Sequence, residues 1–209
     1  MKMLKNSRVV KSKNFNETKR IVVLLHGYGT SGEDFAKVGD TLLSKILDDT
    51  VFLFPDAPYQ CEAGVGRKWF NLNTMSFEEL RSGLEASAPL VYEFVQKAAE
   101  EYRCKDISVI GFSQGAMLAF EMLYYPGISK IIPYSGIFAF AQDKAIKSKA
   151  DVLIVHSYDD FVVPYKNAEL AMENLEILGL NRKVITCHDI GHSISIEGWE
   201  DGMSFIRSR

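Results

Sequence analysis

The sequence predicts a single α/β domain, in which helices cover both faces of a mostly parallel central sheet. Short apolar segments of strand length alternate with longer segments whose apolar residues recur at helical spacing, as in successive strand–helix units. The chain of 209 residues is long enough to bury one substantial core. With 47% hydrophobic and 24% charged residues, its composition is that of an ordinary globular protein.

The first half of the chain begins this alternation. We predict a buried strand at 21–25, a helix at 35–47 and a strand at 51–54, and we expect Pro55 to end that strand. Ser76 and Glu79 have the spacing of a capping box, so a helix should begin there. Pro89 lies within this helical pattern. We therefore expect a kink or a restart at that point, with Ser87 as the capping residue.

The second half continues with predicted strands at 131–134, 152–156 and 183–187. A predicted helix at 164–178 separates the last two strands, and another helix ends the chain. The connection at 137–150 is short. We therefore expect no large lid domain and an accessible site.

Charge is unevenly distributed only near the N-terminus. The formal net charge of −3 gives no reason to expect nucleic acid as a partner. We expect residues 1–20 to form an edge strand or hairpin whose charge hinders edge pairing. The alternative is a basic arm in transient contact with anionic lipid. This segment has one acidic residue, Glu17, and seven basic residues: Lys2, Lys5, Arg8, Lys11, Lys13, Lys19 and Arg20.

The sequence also predicts where the chain resides. It has no apolar segment of membrane-spanning length, and its N-terminus lacks the apolar run of a signal peptide. Cys61, Cys104 and Cys187 lie far apart without a CxxC pair, which indicates reduced thiols. We expect a cytoplasmic protein that is a monomer or a homodimer.

The most specific motif is Gly111-x-Ser113-x-Gly115, which follows an apolar strand and opens an apolar helix. This context is typical of a nucleophile elbow, a sharp turn that exposes the serine hydroxyl. A Cβ atom at Gly111 or Gly115 would collide where strand and helix cross closely. We therefore predict Ser113 as a nucleophile.

A serine nucleophile needs a base, and the base needs a group that orients it. Asp159 and Asp160 follow one downstream strand, and His188 and His192 follow the next. Spacing alone leaves either aspartate as the acid, the other being a solvated loop carboxylate. Gly191 permits a tight turn before His192, which favours His192 over His188 as the base.

Metal and cofactor chemistry are not expected. His188 and His192 have the spacing of a zinc pair, but this spacing converges on a metal only in a helix, and Gly191 interrupts one. The glycine-rich loop after the first strand lacks the phosphate-binding pattern. We instead predict that the backbone amides of Tyr28 and Gln114 form an oxyanion hole. His26 and His156 are expected to hold loops by hydrogen bonds.

Together these segments resemble the phospholipase/carboxylesterase family of α/β-hydrolases, which includes the acyl-protein thioesterases. The resemblance implies Ser113 as nucleophile, Asp160 rather than Asp159 as acid and His192 as base, with the amides of Tyr28 and Gln114 as oxyanion hole. The chain departs from the family in having Ser157 in place of a glycine and Tyr28 in place of a leucine. The matching segments are LHGYGTSGEDF (25–35), FPDAP (54–58), RKWFNL (67–72), GFSQGAMLAF (111–120), YSG (134–136) and the blocks at 156–164 and 191–192.

In this family the region that corresponds to 59–74 helps to line the acyl groove. The resemblance therefore implies that Trp69, Phe70 and Leu72 contact the substrate. The alternative is that Trp69 and Phe70 are core residues beneath a long loop.

We therefore expect a cofactor-free serine hydrolase that cleaves carboxylic esters or thioesters through an acyl-enzyme. Its substrate would be a small ester, a lysophospholipid or an S-acylated protein. One alternative is a serine peptidase on the same fold, although the short chain has no added domain to hold a peptide. The other is a noncatalytic binding module, which a missing triad member would indicate.

Overall fold

A seven-stranded sheet forms the centre of the molecule in the computed structural model, which describes residues 4–11, 17–43, 49–62 and 64–208. Each strand predicted from the sequence is present, and its ends differ from the prediction by at most one residue. The strands of the sheet are β1 (Asn6–Lys11), β2 (Arg20–Leu25), β3 (Thr50–Pro55), β6 (Ile107–Phe112), β7 (Lys130–Tyr134), β8 (Asp151–Ser157) and β9 (Arg182–Cys187), and a separate hairpin contains β4 (Tyr59–Gln60) and β5 (Arg67–Lys68).

The strands lie in the order β1-β3-β2-β6-β7-β8-β9. All neighbouring strands are parallel except β1, which runs antiparallel to β3 at the edge of the sheet. The predicted α/β class with a mostly parallel sheet is therefore confirmed. Of the predicted N-terminal segment 1–20, residues 1–3 and 12–16 lie outside the described residues.

Helices cover both faces of the sheet, as predicted. The strands supply alternate residues to the two faces: Val23 and Val109 pack on one side, and Val22 and Ile110 on the other. The predicted helix at 35–47 begins earlier, at Gly32, and its last predicted residues, 44–47, are not among those described. The first face is covered by α2 (Phe77–Tyr102), α3 (Gln114–Glu121) and α4 (Lys166–Ile177), and the second by α1 (Gly32–Leu43) and α5 (Ile196–Arg207).

Helix α2 differs from the prediction at its centre. Ser76 caps it as expected, because its hydroxyl accepts a hydrogen bond from the amide of Glu79 over 3.2 Å. Of the predicted kink or restart at Pro89, the restart is wrong, since the helix is continuous there. Pro89 has no N–H to donate to the carbonyl oxygen of Glu85, one turn earlier in the helix. Because Pro89 lies on the exposed side, water can bind that oxygen instead. Ser87 caps nothing; its hydroxyl donates to the carbonyl of Trp69 over 2.8 Å.

The connection between β7 and β8 leaves the carboxyl end of the sheet uncovered by any inserted domain. Residues 137–150 contain no helix or strand, so the expectation of no large lid domain is confirmed. In the part of the chain that the structure describes, no helix has both the length and the apolar character needed to cross a membrane.

Candidate active site

The polar residues singled out from the sequence gather at the carboxyl edge of the sheet. Ser113 directly follows β6, Asp160 lies in the loop after β8, and His192 lies in the loop after β9. The loop that contains Tyr28 follows β2, the neighbour of β6. Because parallel strands all point the same way, these loops meet at one edge, the usual place for a site in an α/β sheet.

The turn at Ser113 is a strained elbow. The φ and ψ angles of Ser113 are 52° and −114°, a conformation that a residue with a side chain rarely adopts. Close packing forces this turn, because a Cβ atom on Gly115 would lie 2.0 Å from the carbonyl oxygen of Leu25. The hydroxyl of Ser113 consequently stands at the N-terminus of α3.

The three residues predicted as nucleophile, base and acid form one hydrogen-bonded chain. Oγ of Ser113 lies 2.9 Å from Nε2 of His192. On the other side of the ring, Nδ1 of His192 lies 2.8 Å from Oδ2 of Asp160. A carboxylate facing Nδ1 selects the tautomer with its proton there, which leaves Nε2 free to accept the serine proton.

Asp160 is held as a buried carboxylate. Its side chain is fully enclosed, and Oδ1 accepts hydrogen bonds from the amides of Val162 and Val163, each over 2.9 Å. Burial alone would raise the pKa of Asp160, but the hydrogen bonds from His192 and these amides outweigh it and lower that pKa. Asp160 therefore presents a negative charge to the imidazole near neutral pH.

Asp159 has a different function from the one predicted for the second aspartate. It is not merely a solvated loop carboxylate, because Oδ2 accepts a hydrogen bond of 3.0 Å from the amide of Gly191, next to His192. Oδ1 accepts a bond of 2.5 Å from the hydroxyl of Ser157. These hydrogen bonds, the one from Ser157 foremost, lower the pKa of Asp159. His188 is exposed beside Tyr158, away from this arrangement.

Two buried histidines hold the loops of the site, as expected. Nε2 of His156 lies 2.7 Å from the carbonyl oxygen of Val163. Nε2 of His26 accepts a hydrogen bond of 3.0 Å from the amide of Ala57, so the ring proton resides on Nδ1, 2.8 Å from the carbonyl oxygen of Gly27. Burial lowers the pKa of both histidines, which favours their neutral forms.

The two amides predicted as oxyanion donors are free. Neither the amide of Tyr28 nor that of Gln114 donates a hydrogen bond to any residue that the structure describes. The loop of Tyr28 lies against the elbow, because a Cβ atom on Gly27 would be 3.5 Å from Cβ of Ser113. The hydroxyl of Tyr28 does not bond to Ser113; it donates a hydrogen bond to Glu62 over 2.5 Å.

Two of the three residues predicted to contact the substrate, Trp69 and Phe70, lie in the core. Trp69 is 0% exposed and Phe70 is 5% exposed. The backbone and indole N–H groups of Trp69 donate internal hydrogen bonds, and the carbonyl oxygen of Phe70 accepts one from the side chain of Gln114. Leu72 is half-buried against the same core. Burial therefore favours the alternative for Trp69 and Phe70, core residues beneath a loop, over contact with the substrate. Composition alone could not separate these two interpretations.

A cavity of about 290 Å³ opens beside His192. Its apolar wall consists of Phe35, Phe112 and Ile194, and the Phe112 ring lies 5.0 Å from the imidazole of His192. None of the three residues predicted to contact the substrate lines it. The cavity is completed by Gly27, Thr30, Asp34 and Ser193.

Comparison with known proteins identifies the family. The family model described as phospholipase/carboxylesterase matches residues 5–209, nearly the whole chain. The chain belongs to this family. As a phospholipase/carboxylesterase family member it is a carboxylic-ester hydrolase, in agreement with the class expected from the sequence.

Relatives extend over almost the whole of this family member. Acyl-protein thioesterase 1 homolog 1 of Dictyostelium discoideum is 26% identical over 209 residues, which cover 93% of this chain and 92% of that protein. Carboxylesterase SOBER1 of Arabidopsis thaliana is 28% identical over 202 residues, covering 85% of this chain and 88% of that protein.

Solved structures agree with the fold. The crystal structure of esterase PE8 superimposes with a TM-score of 0.89 at 29% identity and covers 98% of each chain. The Bacillus cereus carboxylesterase superimposes with a TM-score of 0.77 over 98% of this chain and 93% of that one. At 20% identity the second likeness shows the fold alone.

Proposed function

We propose that the chain hydrolyses carboxylic esters and thioesters by transferring the acyl group first to Ser113 and then to water. The observation that carries this proposal is the chain of hydrogen bonds from Ser113 through His192 to Asp160, at 2.9 Å and 2.8 Å. A serine activated in this way attacks an acyl carbonyl, and the same groups serve both halves of the reaction.

In the first half, Nε2 of His192 removes the proton from Ser113 as Oγ attacks the carbonyl carbon. The imidazolium that forms lies next to the buried carboxylate of Asp160, which stabilises the positive charge and remains ionised. The lowered pKa of Asp160 supports this role, because a neutral carboxyl group would provide no such stabilisation.

The carbonyl oxygen becomes negative in the tetrahedral intermediate and needs fixed donors. We assign the amides of Tyr28 and Gln114 to this function, since both are free of acceptors among the described residues and both lie in segments that adjoin Ser113. One such donor lowers the barrier by about 3 kcal/mol in enzymes where it has been removed.

The leaving group takes the proton that His192 acquired. Because His192 lines the cavity of about 290 Å³, we assign the departing alcohol or thiol to that cavity. Water then enters the same space, gives a proton to His192 and attacks the acyl-enzyme. The acid product leaves and Ser113 recovers its hydroxyl.

The class of the substrate is supported by the relatives. One is named for thioester hydrolysis and another for carboxylic ester hydrolysis, and the family description adds phospholipids. An oxygen or a sulfur leaving atom fits the same steps. Turnover of p-nitrophenyl esters of increasing chain length, compared with a palmitoylated peptide thioester, distinguishes a small ester from an S-acylated protein as substrate.

The thiols support a reducing compartment, the cytoplasm, as the place of action. Cys61, Cys104 and Cys187 are all free, and two of them are buried. Structural disulfides are characteristic of oxidising compartments. A cytosolic fraction that contains the enzyme activity would agree with this assignment, and exclusive recovery from a secreted fraction would contradict it.

Replacement of the nucleophile tests the proposal. We expect Ser113→Ala to abolish turnover of p-nitrophenyl acetate and labelling by a fluorophosphonate probe, while the circular dichroism spectrum stays unchanged. Ser129→Ala, which removes a hydroxyl at the amino end of β7, is the matched control and should keep both activities. A folded Ser113→Ala variant with wild-type turnover would refute the proposal.

A further inference from the structure

We propose that Trp69 is a positioning residue that sets the spacing of the two oxyanion donors. Trp69 bridges the loop that contains Tyr28 and the start of the helix that contains Gln114. This inference rests on the proposed function, because it presupposes that these two amides bind the oxyanion. It assigns a part in catalysis to a buried tryptophan, which acts through the two segments that it holds.

Two hydrogen bonds form the bridge. The indole Nε1 of Trp69 donates to the carbonyl oxygen of His26 over 2.9 Å. The backbone amide of the same residue donates to Oε1 of Gln114, also over 2.9 Å. All three residues are 0% exposed, so no water replaces either bond if it is lost. One residue thus links two segments that are distant in the sequence.

On the first side, the bridge reaches the amide of Tyr28 through His26. The protonated Nδ1 of His26 lies 2.8 Å from the carbonyl oxygen of Gly27, which also accepts from the hydroxyl of Thr30 over 3.2 Å. That carbonyl and the N–H of Tyr28 belong to one planar peptide group and point in opposite directions. Fixing the carbonyl therefore aims the N–H. The Trp69 ring packs against the His26 ring, with centroids 5.3 Å apart.

On the second side, the bridge fixes the first residue of α3. The side-chain amide of Gln114 accepts from the amide of Trp69 and donates to the carbonyl oxygen of Phe70 over 2.8 Å. Both ends of this side chain are therefore held by consecutive residues. The backbone N–H of Gln114 stays free at the helix start, where the first amides have no partner within the helix.

The position of Trp69 is itself rigid. Its carbonyl oxygen accepts a hydrogen bond from the hydroxyl of Ser87 on α2 over 2.8 Å. Both backbone groups and the indole N–H of Trp69 are therefore paired with three separate segments. A residue held in this way resists displacement and can define the distance between the loop of Tyr28 and the start of α3.

The second tryptophan of the chain provides a matched control. Trp199 is 1% exposed, and its ring stacks on Tyr134 with centroids 6.2 Å apart. No residue in the described part of the chain accepts a hydrogen bond from its Nε1. Trp199 belongs to the cluster on the opposite face of the sheet from Trp69. Replacing either tryptophan by phenylalanine removes the same atoms, but only at Trp69 does it remove the indole half of the bridge, the hydrogen bond to the carbonyl oxygen of His26, while the backbone bond to Gln114 remains.

The experiment compares Trp69→Phe with Trp199→Phe. For p-nitrophenyl acetate, we expect Trp69→Phe to lower kcat about tenfold to a hundredfold with little change in KM, because oxyanion donors act in the transition state. Its inhibition constant for a trifluoromethyl ketone, which forms a tetrahedral oxyanion on serine, should rise by the same factor. Trp199→Phe should keep both quantities near their wild-type values.

An isosteric replacement covers the case in which Trp69→Phe does not fold. In the Trp199→Phe background, Trp69 is the only tryptophan, so it can be replaced by 3-benzothienylalanine, which keeps the ring shape but lacks the N–H. Relative to Trp199→Phe, we expect the same loss of kcat and of inhibitor affinity in a protein that remains folded at the assay temperature. Wild-type kcat and inhibitor affinity in this protein would overturn the inference.

The results also separate this inference from the proposed function. If Ser113→Ala stays active, or if the ketone does not inhibit the unmodified enzyme, the proposed function itself fails. If both of those tests succeed while Trp69→Phe and Trp199→Phe behave alike, only the positioning role of Trp69 is refuted.

Discussion

The backbone amide of Gly191 donates a hydrogen bond of 3.0 Å to Asp159. The residues that follow these two in the sequence, His192 and Asp160, also contact each other, over 2.8 Å. Two adjacent aspartates thus bind two adjacent residues. Asp160 orients the imidazole, and Asp159 fixes the backbone that positions it. The hydroxyl of Ser157 donates a hydrogen bond to Asp159 and so helps to hold the carboxylate that binds Gly191.

This arrangement predicts unequal effects of two conservative substitutions. Asp160→Asn removes the charge and the tautomer control at His192, so we expect kcat for p-nitrophenyl acetate to fall by about 10⁴. Asp159→Asn keeps an oxygen that can accept from Gly191, so we expect a loss of less than about tenfold. Steady-state kinetics at equal melting temperature measures both. Equal losses in the two variants would show that the roles are wrongly divided.

Gly115→Ala tests the packing that forces the elbow. Alanine ordinarily favours a helix over glycine by about 1 kcal/mol, so any destabilisation here must be steric. A Cβ atom would lie 2.0 Å from the carbonyl oxygen of Leu25, and we expect a loss of about 3 kcal/mol in the free energy of unfolding.

Gly127→Ala is the control for this variant. Gly127 has a φ of 86° but no atom within 4 Å of an added Cβ, so its cost of about 1–2 kcal/mol reflects backbone strain alone. Urea denaturation gives both values. A Gly115→Ala variant as stable as the wild type would contradict close contact between α3 and β2.

The order of the chain predicts much of this site. Ser113, Asp160 and His192 follow successive predicted strands, and the carboxyl ends of parallel strands must meet at one edge. The choice between Asp159 and Asp160 could not be made from spacing, because a one-residue difference in an irregular loop decides which carboxylate faces the ring. The family resemblance pointed to Asp160, the residue that contacts His192.

Trp69 shows what the sequence could not reveal. A large aromatic residue in a glycine-containing loop is compatible with a substrate groove and with a core, and only the folded chain shows which side it faces. Pro89 is a similar case, because α2 continues through a proline that ordinarily breaks or kinks a helix, and only the folded chain shows that it lies on the exposed side. Tertiary environment decides both outcomes.

Glu79 provides a test of pH dependence. Hydrogen bonds from the amides of Thr74 and Asn73 lower its pKa from 4.5 to about 2. Because the folded-state pKa is the lower one, this contribution to stability is complete above pH 4.5 and is lost as pH falls towards about 2. We expect Glu79→Gln to melt below the wild type at neutral pH, with a difference that closes as pH falls through this window.

Glu78→Gln is the control for Glu79→Gln. It removes a carboxylate from the same helix turn, but no described backbone amide donates to Glu78. The comparison therefore separates the effect of the hydrogen bonds from that of the helix dipole. Calorimetry across the acidic range records the melting temperatures. A constant difference between Glu79→Gln and the wild type at every pH would contradict the assignment.

The most direct test of acyl transfer to Ser113 is capture of the acyl-enzyme. The enzyme is mixed with p-nitrophenyl acetate, quenched in acid before the first turnover is complete, digested and mapped by mass spectrometry. We predict an acetyl group on the hydroxyl of Ser113, and none in His192→Ala treated in the same way. Acetylation at another residue, or full turnover with Ser113 never modified, would contradict the proposed chemistry.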